Sequence, residues 1–455
     1  MAKDDLTELR DLAEGVVDRA RKAGADVAEV GARKGYDLSV RVRLGATELV
    51  EEAGHRGISL RVIRSQRVAV TATSDLTPSG LERLVSDAIE LAELSEADPF
   101  AGPAAPTELS KPPFPDLDLF DDSIAGIDAA RGIEMATACE AAAFAVDPRL
   151  KLSEGASFGR SSGVSVMVLS GGFSGALRTS YASLSVAPVV EDEGGKKRRG
   201  HYWTGARHFS ALEAPDAVGR EAGVRTLKKL GPRKVATTEA PVVFDPDVAR
   251  SLIGSFAGCI LGGSLWRKSS YLLEREGTQV ASSLVTLVDD PLIPRAPGSR
   301  PWDGEGLASR KTVVVDAGVL KSFLLDTYSA KKLGRGSTGS AARGGGSIGP
   351  STTNFLLQGG KTTPVAELIR STGSGLYVTD LMGFGFNAIT GDFSRGAAGF
   401  WIENGELAFP VSEVTISSNL DTMLKGIDAV GDDLELKTST SSPTLRVSRM
   451  TISGT

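Results

Sequence analysis

The chain has 455 residues, a formal charge of −6, and 41% hydrophobic against 24% charged residues. That length predicts two or three folded units at ~150 residues each, with enough apolar side chains to offset the entropy lost on folding. Acidic residues number 57 against 51 basic ones, so no cationic excess is available to neutralise phosphates and no direct nucleic-acid partner is expected.

The start, MAKDDLTELRDL, lacks a basic stretch followed by an apolar one, and Cys139 and Cys259 are the only cysteines. No export signal, a reducing compartment and hence the cytoplasm are expected. The run Leu252 to Trp266 is shorter than the roughly 20 residues a membrane span needs and reads as a buried helix.

In chain order, Leu6, Leu9, Ala13, Val16, Val17 and Ala20 mark a helix that Gly24 ends. Alternation at Leu38 to Leu44, Ile58 to Val62 and Val68 to Val70 predicts three half-buried antiparallel strands, with His55 in a turn beside Gly54. Thr77-Pro78 opens a second helix through Ala92. Six prolines between Asp98 and Pro115 predict an extended connector and a domain boundary.

An Ala-rich helical segment over Ile124 to Val146 precedes strands around Val164 to Val168 and onward to Val190, joined by a Ser170-Gly171-Gly172 turn. Glu191 to Glu193 facing Lys196 to Arg199 reads as a charge-paired hairpin tip rather than a phosphate or acidic-partner patch. A helix near Ala214 to Leu230 stops at Gly231-Pro232, the second boundary. Beyond it, Thr312 to Val315, Phe323 to Asp326, Leu376 to Val378, Phe400 to Ile402, Val414 to Ile416 and Leu445 to Val447 are strand candidates. The expected fold is α+β: an N-terminal helix and antiparallel-sheet domain (1–98), a middle α+β domain (116–231) and a large β-rich C-terminal domain (232–455).

Local motifs give little chemistry. Gly334, Gly336 and Gly339 spell G-x-G-x-x-G without the strand and helix that motif needs, and the glycine required upstream of Gly360-Lys361-Thr362 is Phe355. The stretch Gly334 to Gly349, with the cations Lys331, Lys332, Arg335 and Arg343 on or beside it, is read as a disordered surface loop, with a peptide-contacting lip as the functional alternative. His55, His201 and His208 show no metal-ligand spacing and none is followed by Glu. Gly373-Ser374-Gly375 lacks the spacing of a serine-nucleophile elbow. Both cysteines read as small buried thiols.

The best-specified helix starts at Asp245, with Asp245 as N-cap, Pro246 first and Asp247 at the positive end of the dipole. Ile253, Phe256, Ala257, Ile260, Leu261 and Ser264 form its apolar face. Gly254, Ser255, Gly258, Cys259, Gly262 and Gly263 make it small-sided, which implies that a backbone or a cavity lies against it.

The segments PVVFDPDVARSLIGSFAGCILGGSLWRKSSYLL, YSAKKLGRGSTGSAARG, PSTTNFLL and GLYVTDLMGFGFNAITGDFSRGAAGFWIENGELAFPVSEVTISSNL resemble the TldD/PmbA family, as does the N-terminal EEAGHRGISLRVIRSQRVAVTATSDLTP. The resemblance implies a pair of subunits: a TldD-type subunit carrying His-Glu-x-x-x-His and zinc, and a PmbA/TldE-type subunit without the motif. An ungapped match anchored on Pro246 and Arg267-Lys268 places Gly254, Ser255 and Cys259 at the His, Glu and His positions. This chain then resembles the second kind, with no cofactor of its own and no activity alone. The resemblance further implies a heterodimer enclosing a chamber for unfolded peptides. Candidate peptide or partner contacts are Arg267, Lys268, Lys332, Arg335, Arg343, Asn387, Asp392 and Arg395. The lone chain could form a homodimer.

Two other classes stand beside this reading. One is a regulator of DNA gyrase or of a toxin–antitoxin pair without a peptidase role, a name attached to the family. The other is an independent hydrolase with a rearranged site using Cys259 or the histidines.

Overall fold

A computed structural model describes residues 3–454. Helix α1 (Lys3–Lys22) buries Leu9, Ala13, Val16, Val17 and Ala20, the face its spacing predicts. Strands β1 (Val27–Arg43), β2 (Ala46–Arg64) and β3 (Arg67–Thr73) follow, far longer than their alternation suggested. The first half of β2 is exposed, so no burial pattern marks it. His55 therefore lies within a strand, not a turn, with its ring across Gly35 and Nδ1 3.3 Å from Asp37 Oδ2. Helix α2 (Pro78–Leu94) is capped by Thr77, whose side chain accepts from the Gly80 N–H.

The proline-rich connector has neither helix nor strand but is packed: Ala104 and Leu109 are buried beside Phe173 and Trp302. The Ile124 to Val146 segment is two helices, α3 (Asp122–Ala125) and α4 (Ala129–Phe144), because Gly126 ends the first and Asp128 caps the second. Strands β4 (Leu150–Leu169), β5 (Phe173–Glu191), β6 (Lys197–Arg199) and β7 (Tyr202–Ala206) precede α5 (Pro215–Lys228). At the β5–β6 tip Asp192 Oδ2 accepts from Arg198 Nε at 2.7 Å, the charge pairing the sequence predicted.

These strands form one sheet ordered β3-β2-β1-β4-β5-β6, with β7 also on β5. Strand β1 pairs with β4 from Glu29 opposite Leu169 to Val42 opposite Ala156, so the sheet is continuous across residues 98–116. Side chains alternate across a strand, so even-numbered β1 residues share one face. Val30 and Ala32 pack under α1 and α2, Leu38 and Val40 under α4 and α5. Odd-numbered Glu29, Gly31 and Arg33 are left on the opposite face.

The C-terminal unit begins with β8 (Thr238–Phe244), α6 (Pro246–Cys259), α7 (Gly262–Trp266), β9 (Val285–Asp289), β10 (Thr312–Asp316), β11 (Val319–Leu320) and α8 (Thr327–Lys332). It continues with β12 (Ala341–Gly344), β13 (Ser347–Pro350), β14 (Phe355–Gly359), α9 (Val365–Thr372), β15 (Gly375–Met382), β16 (Asp392–Glu403) and β17 (Glu406–Asn419). Last come α10 (Leu420–Lys425), β18 (Ile427–Val430), β19 (Thr440–Ser441) and β20 (Leu445–Ser453). One sheet runs β17-β16-β15-β8-β20-β18, with β17 also pairing β20 so that it closes on itself; a second runs β11-β10-β9-β14-β19. The chain is thus α+β with a β-rich C-terminal region, as expected. None of the described helices is long and apolar enough to cross a membrane.

Three expectations for this unit change. Phe323 to Asp326 is not a strand: three consecutive buried residues lead to Asp326, which caps α8, and only Leu324 bridges, to Leu261. The Leu252 to Trp266 run is two helices, not one, since Leu261 is extended between α6 and α7. The Gly334 to Gly349 stretch is not a disordered loop. Its second half forms the β12–β13 hairpin, turned by Gly345 (φ +57°) and Gly346 (φ +88°) and held by the buried Arg343.

Candidate functional site

Strand β8 delivers the chain to α6 at Asp245, whose carboxylate accepts from the Asp247 N–H (3.1 Å) and from Tyr377 Oη (3.1 Å). Burial pushes the Asp245 carboxyl above its ordinary range, against the opposing pull of Arg225. Val248, Leu252, Ile253 and Phe256 fix α6 in the largest core. The other side of the helix is bare. A Cβ built on Gly254 or Gly258 meets nothing within 4 Å, so these two face open space. The close approaches come later: a Cβ on Gly262 would lie 2.1 Å from Ser329 Oγ.

The three motif positions do not share a surface. Residues five apart on an α-helix are turned by about 140° at ~100° per residue. Gly254 opens outward, whereas Cys259 is fully buried, its Sγ 3.4 Å from the Ser255 carbonyl and 3.9 Å from that of Ala388. Ser255 Oγ donates to the Ser251 carbonyl at 3.0 Å. The resemblance implies zinc in a TldD-type subunit, and the residues present here do not fit that metal. Gly254 has no donor, the Ser255 hydroxyl bonds its own helix, and Cys259 is sealed.

Among the described residues no group of three or more His, Cys, Asp or Glu is placed to hold a metal ion. Burial pushes the Cys259 thiol up to about 11 and the Cys139 thiol to about 12. Burial thus favours the protonated thiol at neutral pH, which opposes a nucleophilic role. We predict that neither thiol reacts quickly with a disulfide reagent in the native chain and that both titrate in denaturant. A fast-reacting native thiol would revive the hydrolase reading.

Around the C-terminal end of α6 the structure gathers two of the candidate groups. Arg267 and Lys268 are exposed just after α7, and the segment from Asn387 to Arg395 reaches the helix through Ala388, whose carbonyl also accepts from Tyr271 N at 2.8 Å. Asn387 and Asp392 shape that segment's own turn, through Ile389 N on Asn387 Oδ1 (2.9 Å) and Thr390 Oγ1 on Asp392 Oδ2 (2.7 Å). Arg395 Nε is buried with no acceptor among the described residues.

Of the other candidates, Lys332 shares the Trp266 ring with Arg267, at 5.6 and 5.0 Å from its centroid, while Arg335 and Arg343 are engaged elsewhere. Lys332 is 4.1 Å from the Phe100 ring centroid and 3.9 Å from Asp98. Arg335 pairs with Glu276 at 2.7 Å. Arg343 is not a free cation on a loop: it is 2.7 Å from Glu29, across the molecule on β1. Sequence reasoning missed the exposed Met382, Phe384 and Ile389 beside Asn387. Their signal was an apolar run, MGFGFNAI, broken by glycines and matching neither strand nor helix period.

Three family models match in succession: PmbA/TldA metallopeptidase domain 1 over residues 28–92, the central domain over 122–230 and the C-terminal domain over 237–454. A metalloprotease PmbA of Escherichia coli O157:H7 is 38% identical over 430 residues, covering 94% of this chain and 93% of that protein. The crystal structure of a putative modulator of DNA gyrase from Bacteroides thetaiotaomicron superposes with TM-score 0.92 at 29% identity, covering 98% and 99% of the two chains. TldE of Thermococcus kodakarensis shares the fold, with TM-score 0.86 at 20% identity over 97% and 100%. The chain belongs to the TldD/PmbA metallopeptidase family and is of the PmbA type.

Proposed function

We propose that this chain is the noncatalytic, PmbA/TldE-type subunit of a cytoplasmic heteromeric metallopeptidase that degrades or processes unfolded peptides. A TldD-type partner would carry the zinc, and this chain would form part of the chamber wall and the partner interface. One observation carries the reading. Helix α6 has a cap and a buried face, and Gly254, at the first of the His, Glu and His positions that the resemblance assigns to Gly254, Ser255 and Cys259, faces open space. A helix retained without its chemistry fits a wall better than a catalytic centre. The exposed Met382, Phe384 and Ile389, in the segment whose Ala388 carbonyl touches Cys259, fit a surface that a partner covers.

The test is Gly254→Arg. The side chain enters open space, so the lone chain should keep its melting temperature. Cleavage of an unfolded peptide by the assembled pair should fall by about tenfold or more, at least ~1.4 kcal/mol of transition-state stabilisation. Full activity of the pair with this variant would refute a role for the α6 face.

A further inference from the structure

A cavity of about 550 Å³ lies between the N-terminal sheet and the C-terminal unit, within the ~300–1,000 Å³ of ligand pockets. One wall is the sheet face turned away from the helices, where Gly31 and Arg33 of β1 stand in register with Ser59 and Gly57 of β2 and with Met167 and Ser165 of β4. The other wall is the β12–β13 turn, Gly344 to Gly346, with the 300–304 segment.

The charge of this lining is opposite to that of the chain. Four arginines, Arg33, Arg56, Arg300 and Arg343, line it with one carboxylate, Asp303, in a protein of net charge −6. Asp303 accepts from the backbone N–H groups of Glu305 and Leu307 (2.9 Å each) and Ala341 (3.1 Å), and with Asp289 it faces Arg300 at charge–charge range without a hydrogen bond to it. Arg33 and Arg56 are exposed, with no carboxylate within ion-pair distance among the described side chains. The Arg343 side chain is only 9% exposed, and it donates Nη2 to Glu29 and Nε to the Gly304 carbonyl (2.9 Å). Its Nη1, and Nε and Nη2 of Arg300, are buried with no acceptor among the described residues. Buried guanidinium donors left unpaired are costly, and an anion supplies the acceptors they lack.

We propose that this cavity binds the C-terminal carboxylate of a peptide, drawn in by Arg33 and Arg56 and received by Arg300 and Arg343. A peptide fits better than a free anion because Gly31, Gly57 and Gly344 put no side chain into the cavity and leave room for an extended chain, while Met167 and Trp302 give a side chain apolar contact. The proposal rests on the peptide-handling reading above, but the site is built by this chain alone. A binding failure and a failure of the paired peptidase are therefore separate results.

The experiment uses the purified full chain and a fluorescent hexapeptide bearing either a free C-terminal carboxylate or an amide, followed by anisotropy at about 0.15 M ionic strength. The acid should bind about tenfold more tightly than the amide. Arg33→Ala combined with Arg56→Ala should weaken binding of the acid about threefold or more and narrow that difference without moving the melting temperature. Equal binding of acid and amide, or wild-type binding by the double variant, would overturn the proposal. Inorganic phosphate binding more tightly than the acid peptide would overturn the peptide assignment in favour of free phosphate.

Discussion

Glu29→Ala is expected to destabilise the chain by about 3 kcal/mol, as breaking one member out of a buried charge cluster typically does. Glu29 is 2% exposed and accepts from Arg61 Nη1 at 2.9 Å and from Arg343 Nη2 at 2.7 Å. Burial alone would raise its pKa, but the two guanidiniums outweigh that and hold the carboxyl below its ordinary range. Removing it leaves two largely buried cations without their anion, one on β2 and one on the β12–β13 hairpin.

A lowered folded pKa contributes stability above the unfolded value of 4.5, and that contribution is lost as pH falls through the folded pKa. The gap between wild type and Glu29→Ala should thus be full at neutral pH and narrow in acid. Urea unfolding from pH 3 to 7 measures it, and limited proteolysis near Gly344 to Gly346 should show the hairpin released. A gap below about 0.5 kcal/mol at pH 7, the size of an ordinary surface change, would contradict the account.

Glu305 has the opposite sign. It is 5% exposed, its Oε2 accepts from Thr327 N (2.8 Å) and Oγ1 (2.7 Å), and burial, with Asp303 and Asp326 nearby, pushes its carboxyl up to about 7. A raised folded pKa means the contribution is complete below 4.5 and lost as pH rises towards 7. Glu305→Gln imitates the protonated acid and keeps an acceptor for Thr327. The variant should match wild type near pH 4.5 and exceed it by up to about 3 kcal/mol at pH 8, the equivalent of a 2–3 unit shift. Urea midpoints across that range test the slope, and a gap that does not change with pH would contradict it.

These two carboxylates show which features were legible in the sequence and which were not. Thr77-Pro78 and Asp245-Pro246 announce helices α2 and α6 because capping is decided within a few residues. Alternation finds the second part of β1 but neither its start nor the outer half of β2, where Ala46 to Arg56 are exposed and nothing constrains their pattern. Composition makes Gly334 to Gly349 look disordered, yet Arg343 is fixed by Glu29, 314 residues away. No local rule carries such a pairing. The same applies to the four cavity arginines, which are scattered along the chain and meet only through the fold.

The three positions that the resemblance matches to His, Glu and His differ in geometry: Gly254 is open, the Ser255 hydroxyl bonds its own helix, and Cys259 is sealed with its thiol pushed to about 11. The account stands most directly on a single comparison. The chain is purified alone and together with a TldD-type partner, and each sample is assayed for bound metal and for cleavage of an unfolded peptide. The account predicts zinc and cleavage in the paired sample and neither in the lone chain. Stoichiometric zinc with cleavage by the lone chain would contradict it.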